Sequence, residues 1–141
     1  MKQRVHLITL GTDNLERAAD FYDSLGWKRA ENCPPGLVAY DLYGATLGLY
    51  GRESLMKDIG IELPPGSGSM TLSCNSRTKE DVDAVMASAE EAGAKILKPP
   101  QDMFWGGYGG YFADPDAHIW EVTFNPFAQP GENDEFQWNG V

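Results

Sequence analysis

The order of elements in this chain is written twice, and that repetition constrains the fold more than any single motif. Leu15 lies eleven residues before Gly26, and Val82 lies eleven before Gly93; Gly26-Trp27-Lys28 is echoed by Gly93-Ala94-Lys95. Within each interval apolar residues recur at helical spacing: Leu15, Ala18, Ala19, Tyr22 and Leu25 in the first, Val82, Val85, Met86 and Ala89 in the second. The glycines stop both helices. Asp13 with Glu16 has capping-box spacing for the first helix, and Thr78 or Ser76 can cap the second. A β-prone segment precedes each helix, at 4–10 and 69–75, and three follow each, at 27–31, 37–43 and 45–50, then 94–98, 108–113 and 118–124. This predicts an α+β fold of two tandem β-α-β-β-β modules, about 4–60 and 69–125, within one domain spanning 1–125. Residues 51–68 read as a connector with a helical turn around 54–58 and a flexible Pro64-Pro65-Gly66-Ser67-Gly68 stretch. Residues 126–141, with Glu132, Asp134 and Glu135, read as an acidic surface tail.

Charge then removes several classes of function. A formal net charge of −10 disfavours nucleic acid, whose phosphates select basic surfaces, and equally disfavours anionic membranes. There is no apolar run near the ~18 residues that cross a bilayer, and the N-terminus reads directly into a strand rather than a signal peptide. Cys33 and Cys74 have neither zinc-site spacing nor a disulfide framework, and read as ordinary thiols of a cytoplasmic protein. With 42% apolar residues in 141, the chain can bury a core of its own.

Strand alternation sorts the side chains into two faces. Val5, Leu7, Leu47, Leu49, Met70, Leu72, Cys74, Trp120, Val122 and Phe124 are expected under the helices. His6, Ile8, Thr46, Gly48, Tyr50, Ser69, Thr71, Glu121 and Thr123 are expected on the other face, a mixture suited to a cavity lining rather than a core. Glu121 attracts attention first, because a carboxylate on an aromatic-rich strand requires a polar pocket, a metal or a counter-charge. A turn at 114–117 that pairs 113 with 118 would put Tyr108, Gly110 and Phe112 on the cavity side. Met103, Phe104 and Trp105 could wall the cavity mouth, and the glycines at 106, 107, 109 and 110 permit either a close backbone approach or a bulge. The expected ligand-binding set is therefore Tyr50, Thr71, Trp105, Tyr108 and Phe112, with His118 at a polar strand edge.

Two segments carry a family resemblance: Val5–Gly26, especially Asp20-Phe21-Tyr22 with Leu25-Gly26, and Phe112-Ala113-Asp114-Pro115-Asp116-Ala117-His118-Ile119-Trp120-Glu121-Val122. With the duplicated pattern, the chain resembles the glyoxalase, bleomycin-resistance and extradiol-dioxygenase superfamily, the vicinal oxygen chelate proteins, over roughly residues 4–125. Ala117 stands where the family usually has a turn glycine, which suggests a different turn type. The resemblance implies an open, cupped mixed sheet around a cavity and, in metal-using members, four inward side chains around a divalent ion. Those positions fall on His6, Gly48, Ser69 and Glu121. His6 and Glu121 are competent metal ligands; Gly48 has no side chain and Ser69 is a poor donor, so the set is incomplete unless Asp41, Tyr50 or Glu53 reaches in. Without metal, His6 and Glu121 could bond each other or act as a general-base dyad.

Three readings follow. The first is a cofactor-free protein that captures a small, partly aromatic molecule. The second is an enzyme, a glyoxalase-like lyase or isomerase or a ring-cleaving dioxygenase, with a divalent metal and with His6 and Glu121 as catalytic residues. The third is a partner-binding domain with a vestigial cavity. The resemblance further implies a homodimer.

Overall fold

The computed structural model describes residues 1, 3, 5–66, 68–136 and 138. It divides into two compact units, Met1–Gly68 and Ser69–Val141. The class is mixed α+β, with a three-stranded and a four-stranded sheet and three helices.

In the first unit, β1 (Leu7–Thr12) leads into α1 (Leu15–Ser24), followed by β2 (Leu37–Leu42), β3 (Ala45–Gly51) and α2 (Arg52–Ile59). The sheet order is β1-β3-β2, with β1 parallel and β2 antiparallel to β3. Asn14, not Asp13, caps α1: its side chain accepts from the Arg17 amide at 3.0 Å. The core lies between α1 and the sheet, where Phe21, Tyr22, Tyr40, Leu10, Leu47 and Leu49 are all at most 2% exposed. The Tyr40 hydroxyl donates to the Ala19 carbonyl and the Asp23 carboxylate, which keeps this polar atom satisfied inside the core.

Two sequence expectations fail here. Residues 27–31 form no strand, with Ala30 N bonding Ala39 O but no ladder, so among the described residues this module has three strands rather than four. The face of β1 is also reversed. Its register pairs Ile8 with Leu47 and Leu10 with Leu49, so Ile8, Leu10 and Thr12 pack under the helix, while Val5 and Leu7 stay 62% and 50% exposed. Apolar residues at 5, 7, 8 and 10 fit either parity. The burial of Leu10 and Thr12 decides between them.

The second unit runs β4 (Thr71–Ser76), α3 (Lys79–Glu91), β5 (Lys95–Asp102), β6 (Tyr108–Ala113) and β7 (Ile119–Phe124), with sheet order β4-β7-β6-β5. Thr78 caps α3 through a full capping box with Asp81. The duplication is also visible in the helix ends. Gly26 and Gly93 both take left-handed φ, +87° and +104°. In both, a residue beyond the glycine bonds back to the helix: Trp27 N to Tyr22 O, and Ala94 N to Ala89 O. Val82 and Met86 of α3 are buried over Phe112, Trp120 and Val122 of the sheet, with Phe112 and Trp120 stacked at 6.3 Å.

β5 carries Pro99 and Pro100, which cannot donate to a ladder, and its register with β6 shifts around them. The opposing Gly110 has room for no side chain: a Cβ there would sit 2.7 Å from Lys98 O and 3.0 Å from Met86 Cε. At Gly109 a Cβ would sit 2.6 Å from Val122 O. Of the two uses open to this glycine run, the structure shows both, a close backbone approach beside an irregular ladder.

Candidate functional site

The β6–β7 turn sets the geometry of the site. Asp114 organises it: its Oδ1 accepts from the amides of Asp116 (2.9 Å) and His118 (2.8 Å), and its own amide donates to the His118 carbonyl (2.9 Å). The resulting loop holds five residues, an odd number, and Ala113 pairs with Ile119, Phe112 with Trp120 and Tyr111 with Glu121. The expected pairing of 113 with 118 is thereby shifted by one, and every β6 side chain changes face. Phe112, expected in the cavity, is 3% exposed beneath α3. Tyr108 also turns to α3, where its hydroxyl donates to Asp83 (2.7 Å) and the Lys79 ammonium stands 5.1 Å from its ring centre. His118 is buried rather than at an edge. Ala117 takes φ +67°, so the turn keeps the left-handed conformation that favours glycine despite the alanine.

Tyr111 takes the place expected for Phe112. Its hydroxyl donates to Glu121 Oε1 at 2.5 Å, and Ser73, opposite on β4, donates to Oε2 at 2.8 Å. The bond to the carboxylate, with some burial, pushes the Tyr111 phenol up to about 12. Glu121 is thus held by two neutral hydroxyls and makes no ion pair among the described residues. Register continues the same face through Asn75 and Thr123, so Ser73, Glu121, Thr123 and Asn75 share one polar surface.

That surface floors a cavity of about 490 Å³, a size typical of small-molecule sites. Ser73, Asn75, Glu121, Thr123 and Asn125 supply its polar wall. Trp105, Phe136 and Trp138 supply the aromatic one. The tail is therefore more than an acidic surface segment: Phe136 and Trp138 line the cavity and meet edge to face at 6.4 Å. Arg77 fastens the segment before them, donating to the carbonyls of Pro130 and Gly131 and pairing with Asp134 at 2.7 Å. Thr123 Oγ1 is buried with no hydrogen-bond partner among the described residues, which is unusual for a hydroxyl in a folded protein.

The remaining expected site residues lie elsewhere. His6 precedes β1 in the first unit and is exposed; within the second unit the carboxylate of Glu121 bonds Ser73 and Tyr111. Tyr50 belongs to the first unit and donates to Asp58 at 3.1 Å. Thr71 shares the Glu121 face but is exposed and outside the lining, while Trp105 is in it. Ser69 precedes β4 and is exposed. Ser73 and Asn75 were accessible by extending the parity of Thr71, and Tyr111 by an odd count in the turn. Phe136 and Trp138 carry no sequence signal, since their place depends on how the tail folds back.

The residues present do not fit a divalent-metal centre. The Glu121 carboxylate is surrounded by hydroxyl and amide groups, which are weak donors for such ions. Beside Gly48, the other implied position on a strand, a side chain would meet Leu7 and Leu37 at 3.3 and 3.4 Å. Among the described residues no three His, Cys, Asp or Glu come together as a metal-binding group. No helix among them is long and apolar enough to cross a membrane.

A chain of paired modules with a cavity against one sheet defines a class, and the family comparison agrees with it. The chain belongs to the glyoxalase/bleomycin resistance protein/dioxygenase superfamily, whose family model matches residues 4–122. Among solved structures it is similar to a glyoxalase-related enzyme from Fulvimarina pelagi, at 34% identity and a TM-score of 0.89, over 96% of this chain and 98% of that one. It is also similar to a hypothetical protein from S. aureus, at 26% identity and a TM-score of 0.78, over 89% and 95% of the two chains. A lactoylglutathione lyase from Agrobacterium tumefaciens, at 20% identity and a TM-score of 0.67 over 87% and 94%, shares the fold. No curated protein matches the chain.

Proposed function

We propose that this protein binds a small, partly aromatic molecule in the second-unit cavity without using a metal. The observation that carries the reading is the environment of Glu121: two hydroxyl donors, no metal-binding group among the described residues, and an aromatic wall across a cavity of about 490 Å³. Trp105 and Trp138 make the site readable by intrinsic fluorescence. Quenching by a planar probe such as N-methylacridinium should give the same affinity in EDTA as with added zinc or manganese. The thermal midpoint should likewise be unmoved by either addition, because a ligand that binds only the native state raises it. Binding that appears only with added metal would sink the reading.

A second reading, catalysis, is favoured by the 34% identical relative, which is described as a glyoxalase-related enzyme. In it Glu121 would move a proton beside a bound carbonyl. Turnover of α-keto-aldehyde hemithioacetals or of catechols, abolished in Glu121→Gln, would establish it in place of simple capture. On the family resemblance we further infer a homodimer, which light scattering of the purified chain checks.

A further inference from the structure

We propose that the cavity selects a planar organic cation, an aromatic ring bearing a protonated or alkylated nitrogen, held between Glu121 and the Phe136–Trp138 pair. The inference rests on the small-molecule reading and deepens it. Two observations carry it together. The Glu121 carboxylate has two neutral hydroxyl partners, and among the described residues no ion pair compensates it and no Lys, Arg or His lines the cavity. A cation there gains Coulomb attraction in a site partly shielded from water.

The opposite wall consists of Trp105, Phe136 and Trp138. Aromatic faces attract cations through their quadrupoles and stack on planar rings, and tryptophan does so best. Thr123 also lines the cavity. An anionic ligand would meet the Glu121 carboxylate with no basic residue among the described lining residues to offset it. A neutral apolar one would leave the Glu121 carboxylate facing it without gain.

Equilibrium dialysis of the full chain in EDTA, in mildly alkaline buffer where acridine is neutral, compares three probes of one shape: N-methylacridinium, acridine and acridine-9-carboxylate. N-methylacridinium is expected to bind about tenfold or more tightly than acridine, and the carboxylate least. The advantage should shrink as salt is added and disappear in Glu121→Gln, while Trp138→Ala should weaken both acridine and the cation. The salt series uses the unaltered protein, so the inference stays testable if a variant does not fold. Acridine or its carboxylate binding as tightly as the cation would overturn the cation preference and leave metal-free capture standing. Lack of saturable N-methylacridinium binding at about 1 mM, the weak end of useful affinity, would also overturn it. Strict dependence on added metal would instead remove the underlying reading.

Discussion

Two residues show how much a single position decides. Ala117 holds a left-handed φ of +67° in the β6–β7 turn, a conformation that costs a residue with a Cβ about 1–2 kcal/mol. Glycine removes that strain but adds entropy to the unfolded chain, so Ala117→Gly should stabilise by about 1 kcal/mol net. Urea unfolding should show this as a higher midpoint at unchanged slope, and a lower midpoint would contradict the strain. Tyr111 is the second. Its phenol is raised to about 12, first by its bond to Glu121, so the folded state holds the proton more tightly than the unfolded one. The bond's contribution is therefore fully present below about pH 10, the unfolded value, and is lost as pH rises through the folded value. In Glu121→Gln the Tyr111 titration should move back toward about 10, read as the ultraviolet difference from a Tyr111→Phe background.

At the scale of elements, a turn and a strap build the site. The five-residue turn carries Tyr111, not Phe112, to the carboxylate, and the glycines of β6 allow that strand to lie against bulged β5. The strap is the segment 125–136. Asn125 opens it, with Oδ1 accepting from the Phe127 amide at 2.9 Å, and Arg77 holds its far end through two carbonyls and Asp134. These are exposed contacts, so Arg77→Ala should cost less than about 1 kcal/mol of global stability. Its effect should appear locally instead, as faster proteolysis within 126–136 and about tenfold weaker probe binding, since Phe136 and Trp138 lose their anchor. Unchanged proteolysis with unchanged affinity would mean that the strap is held by other contacts.

Over the whole molecule, the two units share one plan and differ in what they kept. Matching glycines end α1 and α3 with the same backbone bonds, yet one unit has three strands and the other four. The duplication, the helix stops, the Thr78 cap and the buried face of β7 could all be read from the sequence. Each depends on local spacing that a linear pattern records. The face of β1 and the face of β6 could not. The first turned on which of two equally apolar alternations met α1, and the second on one extra residue in a turn. The structure gives the Glu121 carboxylate two hydroxyl partners, Ser73 and Tyr111. The sequence by itself determined the paired-module class and the importance of Glu121, because periodicity and an out-of-place charge survive without coordinates. Only the tertiary structure decided what surrounds that charge. Register moves whole rows of side chains at once, and a tail with no periodicity reveals its rings' place only when folded.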